Sequence, residues 1–281
     1  MLASQDIVTP HITDSHHLEY PCFKPGFACE LELPHWAPIH IGPLTIDMSP
    51  TKHVVMLLIA ATLCLVTLLL AARAHKRQHA TKGHSKGFAN GIEALVLYIR
   101  QEVVLPNVGH HGEKYAPFIL TLFFFILFAN LLGLIPYGST ATGNIAVTGM
   151  LAIITFVFVE VAGMRTLGWG YIKTIVYWPS DQPFIMKAVL TPLMTPIEIF
   201  GKFTKPFALA VRLFANMTAG HIVVLALIGL IFTFGKYYIA PLPLAMAFGI
   251  MVLEVFIAFL QAYVFALLAS VFIGLIREGA H

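Results

Sequence analysis

Long apolar runs alternate with short polar connections along most of the chain. Five of the runs are long enough to cross a hydrocarbon core of about 30 Å as helices rising 1.5 Å per residue. Residues 54–72 form the first, without one formal charge. Residues 117–135 form the second and stop at Pro136, before a Gly/Ser/Thr-rich loop that reaches Asn144 without a Lys or Arg. The third, 145–164, ends at Arg165. A polar, aromatic connection over 165–191 closes on Pro192 and Pro196, and two longer runs follow, 197–234 and 244–276, on either side of a turn over 235–243. As helices the last two are roughly 57 and 50 Å long, more than a bilayer core, so both tilt steeply. Residues 88–104 differ: IEALVLYIRQEVV keeps apolar positions at helical spacing but interposes Glu93, Arg100, Gln101 and Glu102, the pattern of an amphipathic helix on a membrane surface.

Charge orients these elements. Only Lys24 and Lys52 precede the first span, whereas Arg73, Lys76, Arg77, Lys82 and Lys86 follow it. The positive-inside rule therefore predicts an outer N-terminus, an inner C-terminus and a surface helix on the inner side. On this topology thirteen of the 17 Lys and Arg residues are inside. The expected fold is an all-α membrane protein: an outer N-terminal tail over 1–53, then a membrane domain over 54–281 with five transmembrane helices, the last two a long, strongly tilted antiparallel hairpin.

Composition agrees, with 58% apolar and 11% charged residues and a mean hydropathy of +0.82. A net charge of +3 gives no case for a nucleic-acid partner. No Gly-x-x-x-x-Gly-Lys-Ser/Thr stretch offers a nucleotide site, and no apolar core of a cleaved signal precedes residue 54. The halves of the chain differ, since the earlier spans are nearly clean while Arg, His, Glu and Gln interrupt the later ones, which argues against a secondary transporter built from inverted repeats around an intramembrane polar site.

The chemistry lies in the last two spans. Arg212, in ALAVRLFANMTAGHIVVLAL, has no acid within a helical turn. A charge at a helix centre costs about 2.5–3.5 kcal/mol on insertion scales, so it points to function; the alternative is an Arg that snorkels to the interface. A guanidinium keeps its proton, so Arg212 can act only as a fixed cation. In an antiparallel hairpin, residues at equal depth have position numbers with a constant total. Arg212 with Gln261, and His221 with Glu254, satisfy this around the 235–243 turn, giving two polar layers about 10–13 Å apart. Asn216 shares the face of Arg212, and Gln261 the face of Glu254.

His221 and Glu254 are a titratable pair fit to pass protons; the alternatives are a hydrogen bond that ties two helices, or a zinc site short of ligands. Ala208, Ala215 and Ala219 flank Arg212, and Ala258, Ala262, Ala266 and Ala269 form a second stripe, either for close approach of another helix or for packing inside the chain. Asn130 and Glu160 read as structural, and Cys64 as packing. Cys22 and Cys29, in the outer tail, are placed for a disulfide in an oxidising compartment.

These residues resemble the a subunit of F-type ATP synthases over roughly residues 88–276. NGIEALVLYIRQEVVLPNVG is similar to that family's surface helix, FANLLGLIP to its second span and TATGNIAVT to the loop after it. RLFANMTAGHIV and LEVFIAFLQAYVFALL resemble its two long final helices. The resemblance implies a proton-translocating, non-catalytic stator subunit of a bacterial inner membrane, without a cofactor. Its implied partners are the subunit c ring, the peripheral-stalk subunit b, the F1 sector and the lipid bilayer. Arg212 would face the carboxylate of each rotor subunit, Asn216, His221, Glu254 and Gln261 would line an outer half-channel, and Glu198 would lie at the inner one. Two departures stand out. The acid and the His at positions 254 and 221 are exchanged relative to some bacterial relatives, and Ala215 replaces the usual Gly.

Overall fold

A computed structural model describes residues 14–21, 28–36, 38–41, 44–80, 88–109, 112–135, 140–176, 183–234 and 238–278. Five helices in it are long and apolar enough to cross a membrane. They are α1 (Lys52–Ala80), α3 (Ala116–Gly133), α4 (Ile145–Leu167), α5 (Phe184–Phe234) and α6 (Pro241–Glu278). A shorter helix, α2 (Phe88–Tyr98), passes into a π-helical turn over Ile99–Val104 and a last α turn over Leu105–Val108. The expected helical class holds, with the surface helix before the second span and the two longest helices at the end.

Several boundaries move for physical reasons. α1 runs past residue 72 to Ala80, because Arg73, Lys76 and Arg77 end a hydrocarbon-compatible stretch but not a helix, straight-chain cations being good helix formers. α6 starts at Pro241, where a proline at the first helical turn lacks only an N–H that would have no partner. The largest shift is in α5, which begins at Phe184 in place of residue 197 and contains Pro192, Pro196 and Pro206. Each proline removes one i→i−4 bond, a loss that bends a long helix without ending it when the neighbouring turns are intact. The 165–191 connection is correspondingly shorter.

The N-terminal tail adds strands to the helical class. β1 (His17–Pro21) pairs antiparallel with β2 (Ala28–Glu32), and β3 (Ile39–Ile41) with β4 (Leu44–Ile46). The tail is tied to the start of α1: Lys52 N donates to Ser15 O at 3.0 Å, and Trp36 N donates to the buried Ser49 hydroxyl at 3.0 Å. Hydrogen bonding from Ser49, whose N–H reaches Asp47 Oδ1 at 2.9 Å, holds the Asp47 carboxyl below its usual range. Cys29 pairs with Tyr20 in the strand register, whereas Cys22 lies outside the described residues.

The chain forms two compact units. The first comprises residues 1–67, 124–147 and 213–261. It is organised round a buried polar chain: Thr142 Oγ1 donates to Asn130 Oδ1 at 2.8 Å, Asn130 Nδ2 donates to Ala258 O at 3.4 Å, and Thr218 Oγ1 donates to Gly143 O at 3.4 Å. Asn130 thereby has the structural role expected of it, since a fully buried amide must spend its donors and acceptors on neighbours. The second unit comprises residues 68–123, 148–212 and 262–281. Ile99, Val103, Val104 and Val108 are buried in it, and Arg277 Nη1 donates to Val108 O at 2.8 Å. The carbonyl of Asn107 lies so close to Gly274 that a Cβ there would collide with it, so the glycine sets how near this segment comes to α6.

Candidate functional site

In the first unit the site is built where α5 and α6 pass each other. Glu254 is buried, and its carboxylate lies against Gly220 of α5, at the spot a Cβ would occupy. Gly220 precedes the half-buried His221. The two helices therefore meet with 220 opposite 254, the depth that the hairpin register predicts for His221 and Glu254. Among the described residues Glu254 Oε1 has no hydrogen-bond partner, a costly state for a buried carboxyl oxygen and a common one where a group must exchange protons. Gln261 is buried and Asn216 half-buried. No three His, Cys, Asp or Glu side chains come together as zinc ligands among the described residues.

Arg212 belongs to the second unit and is exposed. Leu209, Ala210, Leu213 and Met217 form the buried seam of α5, while Ala208, Ala215 and Ala219 share the exposed side with Arg212. Only 6% of the most apolar stretch of α5 is buried within the chain, against 44% for α6 and 56% for α3, so α5 carries an apolar face that this chain leaves bare. Among the described residues the guanidinium has no ion-pair partner. The alanine stripes separate accordingly. Ala258, Ala262, Ala266 and Ala269 are fully buried and serve packing within the chain, whereas the stripe beside Arg212 is open.

Glu198 is exposed on α5 and lines a cavity of about 230 Å³ in the second unit, together with Glu160, Thr174, Lys202 and Lys205. Lys202 Nζ lies 3.5 Å from Glu160 Oε2, donates to the Tyr171 hydroxyl at 3.1 Å and to Thr174 Oγ1 at 3.4 Å. Sequence reasoning missed Lys202 and Lys205. The signal available was the i,i+4 spacing of Glu198 and Lys202, which puts both on one helix face.

The profile of the family "ATP synthase A chain" matches residues 54–274, most of the chain and all of the functional segments above. The chain belongs to the ATP synthase A chain family. It is similar to ATP synthase subunit a of Chloroherpeton thalassium, 44% identical over 267 residues that cover 94% of this chain and 74% of that one. Subunit a of Myxococcus xanthus is 48% identical over 239 residues, covering 84% and 76%. ATP synthase subunit a 2 of Chlorobaculum tepidum is 44% identical over 275 residues, covering 96% and 72%. As a member of this family, with five helices able to span a bilayer, the chain is a multi-pass membrane component of the proton-translocating Fo sector and works in ATP synthesis.

Proposed function

We propose that this A chain carries protons through two offset half-channels and couples their flow to rotation of a ring of c subunits through Arg212. The observation that carries the reading is the position of Arg212, a permanent cation in the apolar part of α5, exposed on a face that its own chain does not cover and free of any acidic partner among the described residues. A cation so placed needs an anion from outside the chain, and a rotor carboxylate passing the Ala208–Ala215–Ala219 face supplies one.

Glu254, His221, Asn216 and Gln261 form the outer path, and the cavity at Glu198 the inner one. A proton from outside passes by His221 and Glu254 to a rotor carboxylate. The neutral acid leaves Arg212, crosses lipid with the ring and loses its proton to the inner cavity. Arg212 keeps the paths apart, because a fixed positive charge repels a proton in transit. Each charge moved through 100 mV releases about 2.3 kcal/mol, which drives rotation. The chain makes no bond in ATP; the F1 sector does so, and subunit b holds the stator. The charge bias of the connections supports an outer N-terminus and an inner C-terminus in a bacterial inner membrane.

Disulfide trapping tests the placement. Cysteines introduced at Ala208 or Ala215 are expected to cross-link to a cysteine beside the rotor carboxylate of subunit c. Cross-links from the α6 face and none from these positions would overturn it.

A further inference from the structure

The inner cavity holds charges that the half-channel reading leaves idle. Lys202 and Glu160 are 14% and 17% exposed in their side chains, and their ion pair joins α5 to α4. The Lys202 ammonium also lies 4.6 Å from the centre of the Tyr171 ring. The other charged residues lining the cavity are Glu198 and Lys205, both on α5, with Lys205 over the Phe272 ring of α6 at 5.3 Å. From α6 the lining is apolar: Phe272, Leu275 and Ile276. An enclosed ion pair is a poor device for holding two helices together. Desolvating both ions costs about as much as their attraction returns, and apolar residues of the same volume hold as well. A carboxylate kept in such a place beside Glu198 has a use for its charge.

We propose that Glu160 is a second proton-accepting carboxylate of this cavity and that Lys202, 3.5 Å from it, is the positioning residue that holds it in place between transfers; the inference rests on the proton-path reading above. In the step, a proton leaves a hydronium or a rotor carboxylic acid and binds a Glu160 oxygen, giving the neutral acid. The Lys202 ammonium keeps its three protons and goes on donating to the Tyr171 hydroxyl oxygen and Thr174 Oγ1. Glu160 next gives the proton to water on the inner side, and the ion pair forms again. One proton enters, one leaves, and no other bond changes.

The test uses the whole ATP synthase in sealed vesicles, with ATP-driven pumping and potential-driven synthesis measured against pH on the F1 side. Glu160→Gln should slow both by about a hundredfold, the low end of what loss of a proton-transfer group costs, and should flatten the pH dependence. Glu160→Asp should keep the pH dependence. Lys202→Met should shift the pH profile, because it removes the cation that lies 3.5 Å from the Glu160 carboxylate. The double change Glu160→Gln with Lys202→Met separates this role from a helix tie: it stays slow if Glu160 carries protons, and a wild-type rate would overturn the proposal. If Glu160→Gln does not assemble, the Lys202→Met profile decides, and an unshifted profile overturns it. Arg212→Ala complex run in parallel keeps the two readings apart. A silent Arg212→Ala beside wild-type Glu160 variants defeats this inference alone, whereas wild-type flux through Arg212→Ala defeats the proton-path reading.

Discussion

The carboxylate of Glu254 on α6 rests on Gly220 of α5, in the space that a side chain at 220 would take. Two helices that each carry an ionisable residue are thus held at one level by the absence of a methyl group. Ala is the better helix former by about 1 kcal/mol, so on propensity alone Gly220→Ala would stabilise α5. The contact reverses the sign, since forcing a methyl into a filled space costs about 1–3 kcal/mol and here displaces the carboxylate itself.

Gly220→Ala is therefore expected to yield less assembled complex and to slow proton flux through what does assemble. Glu254→Asp in the same chain withdraws the carboxylate by one methylene and should recover part of both. Yield and pumping rates of the single and double variants check this; a single variant at wild-type yield and rate would mean that the contact is loose.

Glu254→Gln keeps the volume at 254 and removes its charge. Proton uptake from outside should slow while the complex remains intact, because Gln can accept and donate hydrogen bonds but cannot carry a proton away. The exchange of His221→Glu with Glu254→His should retain more flux than either single change, because it keeps one acid and one imidazole at this depth. Normal uptake in assembled Glu254→Gln would leave the two residues a structural tie.

For the outer tail, Cys22 and Cys29 are expected to be joined in the native membrane, since the tail lies on the oxidising side in the proposed topology. Maleimide labelling before and after reductant reads this directly. Labelling of both thiols without reductant would remove the bridge.

The depth match of His221 and Glu254 was legible in the chain because an antiparallel hairpin needs only its turn to fix which positions meet. Gly220 was not, since a glycine in a membrane helix carries no mark of the residue that fills its place. The exposed setting of Arg212 followed from a lone charge among small residues, but the two alanine stripes look alike as strings, and only packing shows that 258–269 is interior. The start of α5 was hidden by Pro192 and Pro196, which resemble stops but lie inside the helix. Lys202 was missed because its partner Glu160 lies on another helix, and the i,i+4 spacing from Glu198 shows only a shared face, not that pairing. The tail strands are short and lack a clean apolar alternation, so nothing in HLEYP or ACELE set them apart from loop.

The central claim is that Arg212 is a fixed cation which both pairs with the rotor and separates the half-channels. Arg212→Ala removes a charge from an apolar helix and should not harm insertion or assembly. Arg212→Lys should substitute poorly, since an ammonium can lose its proton when desolvated and lacks the planar fork that grips a carboxylate. The most direct measurement is potential-driven ATP synthesis in vesicles that hold fully assembled Arg212→Ala complex. The account predicts no synthesis and no ATP-driven pumping, with passive proton leak through the assembled complex above wild type. Synthesis at the wild-type rate would contradict it and leave Arg212 an interfacial residue without a part in coupling.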